Sequence, residues 1–268
     1  MDIELVRKLR EKTLASLKDC KEALVQSEWN IDHAMDWLKK KWLSNASKKA
    51  DRDTSDGIIR VSTTNKKLVA VVIWCETDFV AKNEIFLDMC DDVLGMLDVI
   101  PVWTTVDTID DTLMSKISER MSDSIAKLWE NMKIVELICY DMWEHEVVPY
   151  LHNGGKIASI VVYDAHNDNA PAVAKQVALH IAAMNPTYHT MDQISASEIE
   201  ALTHTMTQEL LSTGKPADMI EKIVQGKLSK QLGENVLMKQ WYIGDEAVSI
   251  EKLIDWTLTF VTAFRFSI

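Results

Sequence analysis

The chain has 268 residues, 47% apolar and 26% charged, enough to bury a sizeable core. Its formal net charge of -12 repels phosphate backbones, so no direct nucleic-acid binding is expected; the charge serves solubility or a partner with a basic face. No run of about 18 uncharged apolar residues is present and residues 1–7 are charged without an apolar stretch, so neither a membrane span nor a secretory signal is expected.

Residues 1–43 read as three short helices, each with one apolar face. Leu5, Val6 and Leu9 mark the first. Ser16 caps a second that carries Leu17, Cys20, Leu24 and Val25. Asn30 caps a third with Ile31, Ala34, Met35 and Leu38 at helical spacing. Such helices must bury against one another, which gives a compact module. Residues 44–56 are polar and aperiodic and read as a linker, with a helical extension through Lys49 left open.

From Gly57 the pattern changes. Ile58 to Ser62 and Lys67 to Cys75 are β-branched runs around a four-residue turn, a hairpin signal. A helix is expected over 80–97, with Val80, Phe86, Leu87, Cys90, Val93, Leu94 and Leu97 inside. Another is expected over 110–128, and a strand over 133–142. A second α+β unit loosely echoes the first. It has a strand at 156–163 and a helix at 170–184 stopped by Asn185–Pro186. Two amphipathic helices follow, at 195–212 and 217–232. Ile199, Leu202 and Met206 stripe one; Ile220, Ile223, Val224 and Leu228 stripe the other. The turn at 213–216 makes them an antiparallel hairpin inserted into the second unit. Strand-like composition returns at 236–243 and 259–266, with a helix from about Ser249 between. The fold class is therefore α+β.

Motifs for chemistry are scarce. No phosphate-binding loop, dinucleotide fingerprint or nucleophile elbow occurs, so no cofactor is expected. Glu144 and His145 are neighbours without ligand spacing. Cys20, Cys75, Cys90 and Cys139 lie in no Cys-x-x-Cys pair and read as reduced thiols of a cytoplasmic protein. An enzyme built on Cys75 or Cys20 with His152 has no support from spacing. Glycine, about 3% of the chain against a usual ~7%, is scarce, while tryptophan occurs nine times.

The stretch Cys75–Asn83 stands at a strand-to-helix junction, with Thr77 or Asp78 as the N-cap. Two readings are open. In one, Phe79 tucks into the core, as large apolar residues mostly do. In the other, Asp78 and Phe79 are shown to a partner on a rigid corner, and Phe79 is the anchor of an interface.

Thr77-Asp78-Phe79-Val80-Ala81-Lys82-Asn83 is similar to the signature of the elongation factor Ts family. Leu9-Arg10-Glu11-Lys12-Thr13 followed by Asp19-Cys20-Lys21-Glu22-Ala23-Leu24 resembles that family's N-terminal motif. His180-Ile181-Ala182-Ala183-Met184-Asn185-Pro186 and Ser212-Thr213-Gly214-Lys215-Pro216 are further matches, and all four come in family order. The resemblance implies a ubiquitin-associated-like domain at 1–43, a linker at 44–56, and core subdomains at 57–145 and 146–268, the second carrying the helical hairpin at 195–232. It implies a non-enzymatic guanine-nucleotide exchange factor for elongation factor Tu. In that reading Phe79, with Asp78 beside it and Thr77 and Val80 around it, wedges near the Mg²⁺ and nucleotide site. Arg10, Leu17 and Lys18 grip a helix of the GTPase, and Leu128 and Trp129 lie near the partner. His152, within Tyr150-Leu151-His152-Asn153-Gly154, contributes from the second subdomain or is an ordinary loop histidine. The hairpin is left two roles, self-association or a contact with the partner.

Several positions depart from the family pattern. Leu14 and Ser16 stand at usual glycines, Trp241 stands at a usual proline, and Trp74 precedes Cys75 where a smaller or polar residue is common. The Gly-Glu-Asn loop reads Trp129-Glu130-Asn131. Tryptophan adopts positive φ only at a cost, so that loop is expected to be rebuilt. These departures suggest a drifted or engineered member and a second reading, a binding module that keeps the fold without exchange activity.

Overall fold

The computed structural model describes residues 3–13, 15–49, 52–64, 66–211 and 217–268. Helices α1 (Ile3–Thr13), α2 (Leu17–Gln26) and α3 (Ile31–Lys49) come first. The caps are those the side chains dictate. Ser16 Oγ accepts from the Asp19 N–H at 3.1 Å, and Asn30 Oδ1 accepts from Asp32 and His33 N–H at 3.0 Å. Leu9, Cys20, Ala23, Leu24, Ala34 and Leu38 form their shared core. Helix α3 continues through Lys49, the extension that the polar run left open.

The chain divides into two compact units, the first of which includes these helices. In the first, β1 (Asp56–Thr64), β2 (Lys67–Cys75) and β3 (Met132–Asp141) form an antiparallel sheet in the order β1-β2-β3. Alternate β2 residues, Val69, Val71, Ile73 and Cys75, join the core made by the helices α5 (Glu84–Leu97) and α6 (Asp111–Leu128). Phe86, Cys90, Val93 and Leu97 are buried as expected. The helix expected over 80–97 is two helices, however. The short α4 (Asp78–Ala81) ends at Lys82, and Asn83 starts α5 afresh by accepting the Ile85 N–H at 2.9 Å. An asparagine able to bond its own backbone breaks a helix that apolar spacing alone would run together.

In the second unit, β4 (Glu146–His152), β5 (Ile157–Ala165) and β8 (Leu258–Ser267) form a sheet in the order β4-β5-β8, covered by α7 (Ala170–Met184). Strand β4 was not expected. It lies at the sheet edge, mostly exposed, and carries Pro149, which an edge tolerates and an interior strand does not. Helices α8 (Ala196–Leu211) and α9 (Ala217–Asn235) pack through Met206, Leu210, Ile220, Ile223 and Val224. The turn expected at 213–216 lies outside the described residues, as does Leu14. The strand expected at 236–243 is instead a 3-10 turn at Leu237–Lys239 and a two-residue strand β6 (Trp241–Tyr242), paired with β7 (Asp245–Ser249). Ser249 then caps α10 (Ile250–Ile254) through the Lys252 N–H.

One backbone feature runs through both units. Trp29, Trp103, Trp129 and Trp256 hold φ of 64°, 66°, 63° and 61°. This left-handed region costs an L-residue with a Cβ about 1–2 kcal/mol and is ordinarily given to glycine or asparagine.

Candidate functional site

The site is a corner of the first unit, where β2 hands over to α4. Cys75 ends the strand, fully buried. Thr77 is extended (φ -131°, ψ 157°) and its hydroxyl oxygen accepts the Val80 N–H at 3.4 Å, capping a helix of one turn. Val80 and Ala81 face inward, 8% and 4% exposed, and join the core. With those two residues fixed inside, the turn of the helix sends Phe79 outward, 83% exposed. The reading of Phe79 as a core residue is thereby overturned.

Exposure alone does not single the ring out. Trp256, Val99, Trp103 and Trp143 are exposed to a similar degree, and isolated apolar residues at a surface are common. What sets Phe79 apart is the rigidity of its mounting. The Thr77 N–H and hydroxyl donate to the two carboxylate oxygens of Glu130, at 3.0 and 2.6 Å. The Glu76 carboxylate accepts the Asn131 N–H at 2.7 Å, and Asn131 Nδ2 donates to the Arg52 carbonyl at 2.8 Å. Ser55 donates through its N–H to the Cys75 carbonyl at 3.2 Å and through its hydroxyl to the Glu76 carbonyl at 3.3 Å. Asp78, exposed next to the ring, pairs with Lys82 at 2.9 Å, and that bond holds its carboxyl below the usual range. The pair is open to solvent, so it orients Lys82 more than it stabilises the fold.

Trp129 caps the C-terminus of α6, its N–H donating to the Ile125 carbonyl at 2.9 Å with φ 63° and ψ 19°. The expected rebuilding of this loop does not occur. A capping geometry suited to glycine is kept with tryptophan in it, because the bonds made by Glu130 and Asn131 on its far side fix the backbone. Leu128 packs against the core one residue earlier, while the Trp129 side chain is 48% exposed.

Thr77, Asp78, Phe79 and Val80 thus share one corner, with Leu128 and Trp129 leading into the segment that pins it. Arg10, Leu17 and Lys18 lie on either side of the α1–α2 connection, all exposed. His152 belongs to the second unit. It is not in a loop but ends β4, exposed, its Nδ1 3.1 Å from the Tyr150 hydroxyl and its ring stacked on Tyr150.

Glu76 and Glu130 are site residues that sequence reasoning passed over as such. No local spacing relates Thr77 to a residue 53 positions away; the only signal was that acidic side chains flank both motifs. Nothing at the corner resembles a thiol nucleophile. Burial pushes Cys75 up to about 12 and also raises Cys20, the opposite of activation. Among the described residues no group of three or more histidine, cysteine, aspartate or glutamate side chains could hold a metal ion, and no helix is long and apolar enough to cross a membrane.

A family model described as Elongation factor TS matches residues 76–268, more than half of the chain, beginning one residue before Thr77.

Proposed function

The chain belongs to the elongation factor Ts family, and we propose that it binds elongation factor Tu in the GDP form and speeds release of the nucleotide. Phe79 is the wedge. It enters the GTPase domain beside the Mg²⁺ and nucleotide site, with Asp78 as its polar companion and Thr77 and Val80 as its footing. The disturbed metal loosens its hold on the diphosphate, GDP leaves, and GTP rebinds. Residues 1–43, as a ubiquitin-associated-like module, grip a helix of the GTPase through Arg10, Leu17 and Lys18. Leu128 and Trp129 flank the wedge, and His152 adds a contact from subdomain 146–268. The chain makes and breaks no bond, needs no cofactor, and works where translation does, in the cytoplasm.

The observation that carries this reading is Phe79, 83% exposed on a corner whose flanking residues are buried or hydrogen-bonded. The energetics are those of linkage. A factor that prefers the nucleotide-free GTPase weakens GDP binding by the same ratio. Each tenfold of weakening needs about 1.4 kcal/mol, within reach of one buried aromatic anchor.

The second reading, a module that binds without exchange, is favoured by Trp129. Its half-exposed indole stands where the family has glycine, in the segment nearest the wedge. Release of a fluorescent GDP from elongation factor Tu separates the two. Substoichiometric chain accelerates release over many turnovers if it is an exchange factor. A complex that forms without acceleration leaves the binding module.

A further inference from the structure

We infer that Glu130 is a positioning residue for Phe79; the inference rests on the exchange reading above. With its ring in water, Phe79 has little packing to hold it, so its direction comes from the backbone that carries it. That backbone is gripped at two points by one carboxylate. Glu130 Oε2 takes the Thr77 N–H and Oε1 takes the Thr77 hydroxyl proton, which fixes both the position and the rotation of the residue. With its proton committed to Glu130, the Thr77 oxygen has its lone pairs free to cap the Val80 N–H, so the cap and the grip lock each other. Glu76 returns the arrangement by accepting the Asn131 N–H, and the segments 76–77 and 130–131 are crosslinked in both directions. A wedge misplaced by about 1 Å loses on the order of a hundredfold where geometry decides the rate.

The test is stimulated GDP release with the full chain, comparing Glu130→Ala and Glu130→Gln in the native and Phe79→Ala backgrounds. Glu130→Ala is expected to slow release about tenfold where Phe79 is present and less than about twofold where it is absent, because residues acting through one another are not additive. Glu130→Gln keeps one acceptor for Thr77 and falls between. Equal slowing in both backgrounds overturns the inference, since Glu130 would then act on the partner or on the fold at large. If Phe79→Ala alone leaves release unchanged, the wedge reading fails and the grip is judged separately by amide hydrogen exchange at Thr77 and Val80. Faster exchange in Glu130→Ala upholds the grip, and unchanged protection overturns it.

A different observation concerns the tryptophans. Eight described non-glycine residues have positive φ, and four of them are tryptophan, a residue with no side-chain means of easing that conformation. Asn153 and Asn185, also in that group, are of the tolerant type. Independent drift at four positions would leave a mixture of residues. We propose instead a single cause at the level of decoding: positions 29, 103, 129 and 256 are glycine positions, and the source cells read as glycine a codon that another genetic code reads as tryptophan. The scarcity of glycine beside nine tryptophans is the same effect seen in composition. Peptide mass spectrometry of the protein isolated from its own cells tests this. Glycine at the four positions is expected; tryptophan at any of them overturns the proposal for that position.

Discussion

Replacing Trp103, Trp129 and Trp256 together by glycine is expected to stabilise the protein by about 2 kcal/mol. The left-handed backbone costs a residue with a Cβ about 1–2 kcal/mol at each position. Glycine returns roughly 0.5–1 kcal/mol of that through the greater freedom of its unfolded chain. Roughly 0.5–1 kcal/mol per site remains, and separate sites add. The backbone bonds survive the change, since the N–H groups of Trp103 and Trp129 still reach the carbonyls of Cys139 and Ile125. Trp256 is 85% exposed and has little packing to lose. Trp103 gives up an edge contact with Tyr140, ring centroids 5.3 Å apart, and gains least. Trp29 is left out because its ring packs against the core of α1–α3. Urea unfolding measures the gain. The corresponding alanine variants keep the Cβ and are expected to gain nothing. Glycine variants no more stable than the alanine ones would remove backbone strain from the account.

Phe79→Ala is expected to slow stimulated GDP release by at least about tenfold, the effect of truncating an anchor residue. It is expected to change stability by no more than about 0.5 kcal/mol, the range for surface substitutions. Truncating a core phenylalanine would instead cost about 3–5 kcal/mol. The two outcomes are therefore far apart. A variant that unfolds easily and exchanges normally would make Phe79 a structural residue, whereas a stable variant with slow exchange makes it the wedge.

Much of this was legible in the chain, and for identifiable reasons. The caps at Ser16, Asn30 and Thr77 are local, each side chain bonding a backbone N–H two or three residues on, so sequence shows them. The inner face of α5 follows from spacing alone. The break at Asn83 was missed because apolar periodicity continues across it. Strand β4 was missed because its run Val147-Val148-Pro149-Tyr150-Leu151 does not alternate and carries a proline, which argues against a strand. At the site, the cap and the corner could be read, but whether Phe79 points in or out could not. That is decided by Val80 and Ala81 taking the inward face and by Glu130 fixing Thr77 from another part of the chain. Trp129 taught the converse: long-range bonds can hold a residue in a backbone state that its own chemistry opposes.

The central claim is that the side chain at position 79 stands in solvent in the free protein and enters the GTPase on binding. Thiol labelling of Phe79→Cys measures this directly. The native thiols, Cys20, Cys75, Cys90 and Cys139, are all buried, and burial raises the pKa of each, so the introduced thiol is the reactive one. It is expected to react in the free chain at the rate of an exposed cysteine, and at least about tenfold more slowly once nucleotide-free elongation factor Tu is saturating, as for a side chain at a desolvated interface centre. Equal labelling rates in the free chain and in the complex would contradict the account.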